Sequence, residues 1–189
     1  MRPVYGFDEL NALSALKARI RQHFGEDGRI KSRKDCDDII DEMLDLYLLA
    51  LAEAQEGINR QFGTGVKFTA REVQDTVYRR IDGATWADRV LAWYMAGGTV
   101  DDIMRIAETE AHRIVNDAAY QTAVAAGAKT KTWETMADFL VRDTHNYLHG
   151  TTVPIDAYFY SFMGGKTLFP GQWGIPEEDC NCRCWLTYK

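Results

Sequence analysis

The amino-acid sequence predicts an α+β protein, in which a helical N-terminal part leads into a small C-terminal β-containing module packed on a long helix. Apolar residues recur at spacings of three and four through the first two thirds of the 189 residues, which is the period of an α-helix. After Gly127, glycine, proline and aromatic residues become dense and short alternating stretches begin. We therefore divide the chain into a helical region, residues 1–127, and an α+β module, residues 128–189.

Polar capping residues mark where the predicted helices begin. The apolar spacing predicts one helix over residues 7–24, and a second that starts at Ser32 as N-cap and runs to about residue 62. Thr69 and Thr85 each precede an acidic residue by three positions, which is the capping-box spacing, and Thr99 caps again. These caps predict helices over residues 69–81, 86–95 and 100–126, the last ending at Gly127.

Short alternating segments predict the secondary structure of the module. Residues 130–133 are β-branched and alternate, so they predict a strand, and residues 182–188 predict another. Residues 138–149 are predicted as a loop that leads into a short helix. Because alternate residues of a strand share a face, the thiols of Cys180, Cys182 and Cys184 are expected to project to the same side. Cys36 stands alone in a helix and is most simply a small buried residue.

Composition and charge exclude several classes of protein. The net charge of −6 argues against a chain built mainly to bind nucleic acid, although Lys129, Lys131 and Arg142 leave room for a local basic patch. No apolar run approaches the length of about 18 residues that a membrane span needs. Residues 1–6 lack the apolar core of a signal peptide, so a soluble protein that is not exported is expected.

A series of short motifs covers the chain from about Thr76 to Lys189. They are Thr85-Trp86-Ala87-Asp88-Arg89-Val90, Glu108-Thr109-Glu110-Ala111-His112-Arg113 with Asn116, Lys131-Thr132-Trp133, Asp138 with Arg142 and His145, Leu148 with Gly150, Val153-Pro154-Ile155-Asp156 with Phe159, Phe169-Pro170-Gly171, and Asn181-Cys182-Arg183-Cys184. In this order and spacing, the motifs resemble the phage head-morphogenesis family typified by the Mu F-like minor head proteins. The sequence departs from the family pattern at Leu140, where the family has arginine, and at His149, where it has aspartate.

The resemblance implies a structural, non-enzymatic role in a phage head. Proteins of this family enter the procapsid in few copies, associate with the portal or the scaffold, and stay inside the head near the DNA. The resemblance therefore implies phage portal or scaffold proteins as partners, contact with DNA in the head, and no membrane. It places the protein in the virion interior, and in the host cytoplasm during assembly.

Asp138, Arg142 and His145 form the most charged constellation in the module. The structural interpretation is an Asp138–Arg142 ion pair that pins the loop, with His145 donating to a backbone carbonyl. The functional alternative is a hydrolase or nuclease, with His145 as general base and Arg142 holding an anion. We favour the structural interpretation, because charge clusters in small modules are often architectural and no nucleophile is evident.

The histidines and cysteines offer a second alternative, a zinc-stabilised module that contacts DNA. His145 and His149 are four residues apart and would share one face of a helix, and Cys182 and Cys184 would add two thiolates from a strand. The structural interpretation is that the cysteines form a buried strand face and that His149 faces solvent. A disulfide is a third option, and the strain of joining cysteines of one strand disfavours it.

The remaining candidates are docking residues that hold the module on the long helix. Glu110 and Arg113 are either a solvated pair on that helix or side chains that reach into the module, and we favour docking. Trp133, Arg183 and the two cysteines of the terminal motif complete the set of structural residues. The dense aromatic residues of the module are expected to be mostly core, with a subset exposed as a partner surface. They are Trp133, Tyr147, Tyr158, Phe159, Tyr160, Phe162, Phe169, Trp173 and Trp185.

Overall fold

The computed structural model describes residues 5–189 and confirms the α+β fold class. Residues 1–4 lie outside the described residues. They belong to the segment in which the sequence shows no apolar core of a signal peptide. The helices of the first part are α1 (Glu9–Ile20), α2 (Arg33–Phe62), α3 (Ala70–Val77), α4 (Trp86–Ala96) and α5 (Val100–Ala125). The elements that follow are β1 (Thr130–Thr135), α6 (Asp143–Asn146), β2 (Thr152–Pro154), β3 (Phe159–Tyr160), β4 (Lys166–Thr167), α7 (Pro176–Asp179) and β5 (Cys184–Tyr188).

The predicted N-caps begin the helices that they were expected to begin. Ser32 accepts the backbone N–H of Asp35, and Thr69, Thr85 and Thr99 each form a complete capping box. Helix α3 ends several residues before the predicted end near residue 81. The reason is a tight turn, in which Ile81 and Ala84 exchange backbone hydrogen bonds across Asp82 and Gly83, both with positive φ.

Helix α5 is the centre of the fold. It packs most extensively against α2, and α1, α3, α4 and β5 contact it as well. Residues 110–119 of α5 are all buried, including Glu110, Arg113 and Asp117. A helix enclosed to this degree must neutralise its charged side chains within the protein, because an unpaired charge is costly in the interior.

The buried charges of α5 are neutralised by the neighbouring helices and not by the module. Glu110 accepts from Arg89 of α4, and from Arg113 Nε at 2.8 Å. Arg113 also donates to the carbonyl of Thr76, at the end of α3, at 3.0 Å. The prediction that Glu110 or Arg113 reaches into the module is therefore wrong. The module instead meets the backbone of Arg113 at Gly171, where a Cβ would lie 3.0 Å from the Arg113 Cα.

The module is built on a three-stranded antiparallel sheet. Its strand order is β2-β1-β5, and β3 with β4 forms a separate two-stranded hairpin. Residue 128, the predicted boundary, lies between α5 and β1, and the buried apolar side chains on both sides of it form one continuous core. The hydroxyl of Tyr5 accepts the N–H of Leu186 and donates to its carbonyl, both at 2.8 Å. These bonds tie the N-terminal segment to β5.

Four of the nine aromatic residues singled out in the sequence enter the core. Trp133, Phe159, Phe169 and Trp173 are buried, whereas Trp185 is half-buried. The remaining four, Tyr147, Tyr158, Tyr160 and Phe162, are exposed. None of the described helices is long and apolar enough to cross a membrane.

The basic patch considered from the sequence does not form. Lys131 is fully buried on β1, where its Nζ donates to the carbonyl of Leu168 at 2.9 Å and lies 4.7 Å from the centre of the Tyr120 ring. Arg142 is engaged by backbone carbonyls. Of the three residues, only Lys129 is exposed.

Arg113 is expected to be essential for stability because it bridges buried charges. We predict that Arg113→Met lowers the free energy of unfolding by about 3–5 kcal/mol, the typical cost of breaking a buried ion pair. Arg105→Met is the control, since Arg105 pairs with Asp102 on the exposed side of α5 and should cost less than about 1 kcal/mol. Urea unfolding measures both variants, and equal losses would contradict the assignment.

Lys131 should make the free energy of unfolding vary with pH in the alkaline range. Burial lowers the pKa of Lys131 from 10.5 to about 8, so the unfolded chain binds more protons than the folded chain between these values. The stability of the wild type relative to Lys131→Met should therefore rise across this window, by at most about 1.4 kcal/mol per pH unit. Denaturant unfolding from pH 7 to 10 tests this, with the exposed Lys129→Met as control; a constant difference for Lys131→Met would contradict it.

Candidate functional site

His145 occupies the centre of the module. Helix α6 places its imidazole between two indole rings, with ring centres 5.7 Å from Trp133 of β1 and 5.8 Å from Trp173. The side chain is buried to 99%. The sequence predicted a short helix in this region, but not that the imidazole would be enclosed by aromatic rings.

Two thiols face the Nδ1 atom of His145. Cys184 Sγ lies 3.4 Å from this nitrogen, and Cys182 Sγ lies 3.6 Å from it. We refer to these three residues, all buried, as the thiol–imidazole cluster; their ligand atoms lie within 4.8 Å of one another. Cys180 is not a member, and the backbone turns directly after it at Asn181, which has a φ of 54°. The prediction that all three thiols share one strand face is wrong for Cys180 and for Cys182, because β5 begins only at Cys184.

The opposite nitrogen of His145 faces a buried carboxylate. Nε2 lies 2.9 Å from Oε2 of Glu178 on α7, and Glu178 also accepts from the hydroxyls of Thr144 and Ser161. Burial opposes ionisation of Glu178, but the hydroxyls of Ser161 and Thr144, together with His145 and Arg142, lower its pKa below 4.5. The prediction that His145 donates to a backbone carbonyl is wrong. Sequence reasoning missed Glu178, since no local pattern links it to a histidine so far away in the chain.

Arg142 and Asp138 do not pair with each other. Arg142 donates to the carbonyl of Glu178 at 2.7 Å and to that of Cys180 at 2.6 Å, so it fixes the segment between α7 and β5. Asp138 instead accepts from Arg183. The predicted Asp138–Arg142 ion pair is wrong, and the hydrolase alternative loses its anion-binding group, because the guanidinium of Arg142 is occupied by backbone oxygens.

His149 lies apart from the thiol–imidazole cluster. Helix α6 ends at Asn146, and the N–H of Thr135 donates to His149 Nδ1 at 3.2 Å. Glu134 is the nearest carboxylate, at 3.6 Å. The four-residue metal set suggested by the sequence is therefore wrong for His149 and retains His145, Cys182 and Cys184.

The chemical state of the cysteines excludes the disulfide alternative. All four cysteines are free thiols, so no disulfide links Cys182 to Cys184. Burial, together with the neighbouring Cys184, raises the pKa of the Cys182 thiol to about 12. A thiol in this state is protonated at neutral pH and is a poor nucleophile.

A cavity of ≈ 490 Å³ borders the cluster on the side of the helical region. Helices α1 and α5 form one wall, and the module forms the other through Leu140 and the terminal motif. Cys182 and His112 both line the cavity, and the two side chains contact each other. The cavity therefore extends to the side chain of Cys182.

Comparison with known proteins places these elements in a family. The family model described as Phage Mu protein F like protein matches residues 51–187, which run from the middle of α2 to the end of β5. The chain is 35% identical over 85 residues to minor head protein GP7 of Bacillus phage SPP1, a match that covers 43% of this chain and 28% of GP7.

A second relative is named as an enzyme. The chain is also 35% identical over 85 residues to NAD(+)–arginine ADP-ribosyltransferase EFV of Enterococcus faecalis, and the match covers 43% of this chain and 17% of that protein. The matched stretch is thus less than a third of the length of either relative. No solved structure is significantly similar to the chain.

Double-mutant cycles can measure the coupling energy of the Asp138–Arg183 ion pair. We predict a coupling energy of about 0.5–1 kcal/mol between Asp138→Asn and Arg183→Gln, since these half-exposed side chains form an ion pair. Asp138→Asn and Arg142→Lys should be additive in their effect on the free energy of unfolding. Arg142→Lys alone should cost about 1–3 kcal/mol, because lysine cannot serve both carbonyls. Coupling between Asp138 and Arg142 would instead support the pairing expected from the sequence.

Proposed function

The chain belongs to the Phage Mu protein F like family, and from this premise we propose that it is a minor head protein that acts in procapsid assembly by binding the portal or the scaffold. The SPP1 relative is a minor head protein, and this supports a role in the head. The proposal places the protein inside the virion head, and in the host cytoplasm while the procapsid assembles. It assigns the protein no catalytic step.

One surface of the module supports a function based on protein contacts. Four neighbouring side chains, Tyr147, Tyr160, Phe162 and Met163, are 41–75% exposed, and we call them the aromatic patch. The rings of Tyr147 and Phe162 stack with centres 4.0 Å apart, and the Tyr147 hydroxyl donates to the carbonyl of Tyr160. The side chains are thus held together at the surface in the free protein. Clustered exposed aromatic and methionine side chains are typical of protein–protein interfaces.

The side chains of the aromatic patch lie on the surface and do not contribute to the core. Phe162 and Met163 lie in the turn between β3 and β4, and the Ser161 hydroxyl accepts the N–H of Met163 at 3.0 Å. Ser161 in turn donates to the buried Glu178, so the turn is anchored to the centre of the module. A rigid apolar surface loses little conformational entropy on binding, which favours association.

DNA is not proposed as the main partner. The net charge of −6 opposes association with phosphates, and two of the three basic residues considered from the sequence are used inside the module. Apolar contact with another head protein makes better use of the surface that the module exposes.

The proposal is tested by the binding of purified partners. We predict that Phe162→Ser combined with Met163→Ser weakens binding to the portal or scaffold protein of the same phage at least about tenfold, because the apolar centre of the interface is lost. The matched control is Leu48→Ser with Leu49→Ser, which removes two exposed apolar side chains from α2. Binding is measured separately for portal and scaffold, and the copies per particle are measured in phage that carry each variant.

Each outcome of this experiment either supports or overturns the proposed role in procapsid assembly. A loss of binding to one protein and of entry into procapsids, with an unaffected control, supports the proposal and identifies the partner. Binding of the wild type to neither portal nor scaffold would overturn it. So would unchanged binding and incorporation of the patch variant.

A further inference from the structure

The thiol–imidazole cluster has no part in the contacts proposed above. Cys182, Cys184 and His145 are buried inside the module, whereas the aromatic patch is at its surface. Burying two thiols and an imidazole at close range costs free energy, since apolar side chains of similar size would fill the core without burying polar atoms. They are the ligand types that zinc prefers in proteins.

The two sulfur–nitrogen distances of the cluster already suit a tetrahedral metal centre. With usual zinc–sulfur and zinc–nitrogen bonds of about 2.3 and 2.1 Å, a thiolate sulfur and an imidazole nitrogen on one ion lie about 3.6 Å apart. Nδ1 of His145 lies 3.4 Å from the Cys184 sulfur and 3.6 Å from the Cys182 sulfur. An ion can therefore enter between the three atoms with little rearrangement of the backbone.

The surroundings of His145 favour Nδ1, the nitrogen that faces the thiols, as the atom that would bind a metal ion. The carboxylate of Glu178 lies 2.9 Å from Nε2, without the angle of a hydrogen bond. Its negative charge favours the proton on Nε2, which leaves the lone pair of Nδ1 for the two sulfurs. A carboxylate behind a histidine is the usual outer shell of a zinc site. Thr144 and Ser161 donate to Glu178 and hold it in place.

We propose that Cys182, Cys184 and His145 bind one Zn²⁺ ion inside the module, with a water molecule as the fourth ligand. The cavity that Cys182 and His112 line gives the ion and the water their access. Binding releases the protons of the two thiols to solvent, and the resulting thiolates coordinate the ion. The ion then joins α6 to the start of β5, two segments that are distant in sequence.

The experiment uses the full chain, purified without a histidine tag and kept reduced with a phosphine. We expect the wild type to contain about one zinc ion per chain by elemental mass spectrometry. After removal of zinc, titration with Co²⁺ should give the absorption of a tetrahedral site with thiolate-to-cobalt charge transfer. Removal of the metal by a chelator should lower the melting temperature by at least about 5 °C, because only the folded chain presents the site.

Variants locate the site and provide matched controls. Cys182→Ser, Cys184→Ser and His145→Gln should each lose zinc, whereas Cys180→Ser and His149→Gln should retain it, because neither residue belongs to the cluster. Retention of zinc by the Cys182 and Cys184 variants, or its loss only with His149→Gln, overturns the proposal. If a serine variant does not fold, the wild-type cobalt spectrum decides, and a spectrum without thiolate charge transfer overturns the proposal.

Discussion

The enclosure of α5 is the constraint on which the rest of the structure depends. Residues 110–119 are buried, and the charged members of this stretch cannot reach water. Arg113 therefore bridges Glu110 and Asp117, and Arg89 and Arg79 complete the neutralisation from α4 and from the segment after α3. The short helices α3 and α4 are thus positioned by charge as well as by apolar packing. The module contacts α5 through β5 and through Gly171, which meets the backbone of Arg113.

The module relies on this support because it is too small to enclose its own aromatic residues. Its three-stranded sheet has only one long central strand, and the strands of the separate hairpin have two residues each. Gly171 allows the backbone to approach Arg113 closely, and Gln61 of α2 donates to the carbonyl of Tyr188 at 2.8 Å. The helical region thus completes the core of the module, which agrees with a family match that extends from α2 to β5.

Local signals in the sequence predicted the long helices and the strands β1 and β5, because capping and periodicity act over a few residues, but they did not predict β2, β3, β4 or α7. The threonine caps and the long helix ended by Gly127 are examples. Partner choice was predicted poorly, since Asp138 and Arg142 are near in sequence but bind groups some forty residues away. Glu178, which holds the centre of the candidate site, has no sequence signal that connects it with His145. Only the register of β1 with β5 and the placement of α7 bring these groups together.

The two histidines show why spacing alone misassigns a site. Residues four apart share a helix face only if the helix contains both, and α6 has just four residues and ends at Asn146. The chain then turns at Gly150, with φ of +77°, and His149 is directed to the backbone of β1 at Thr135. Cys184 lies opposite the same Thr135 in the sheet, but its thiol points to the buried face with His145. The strand register, and not the helical spacing, therefore selects which histidine meets the thiols.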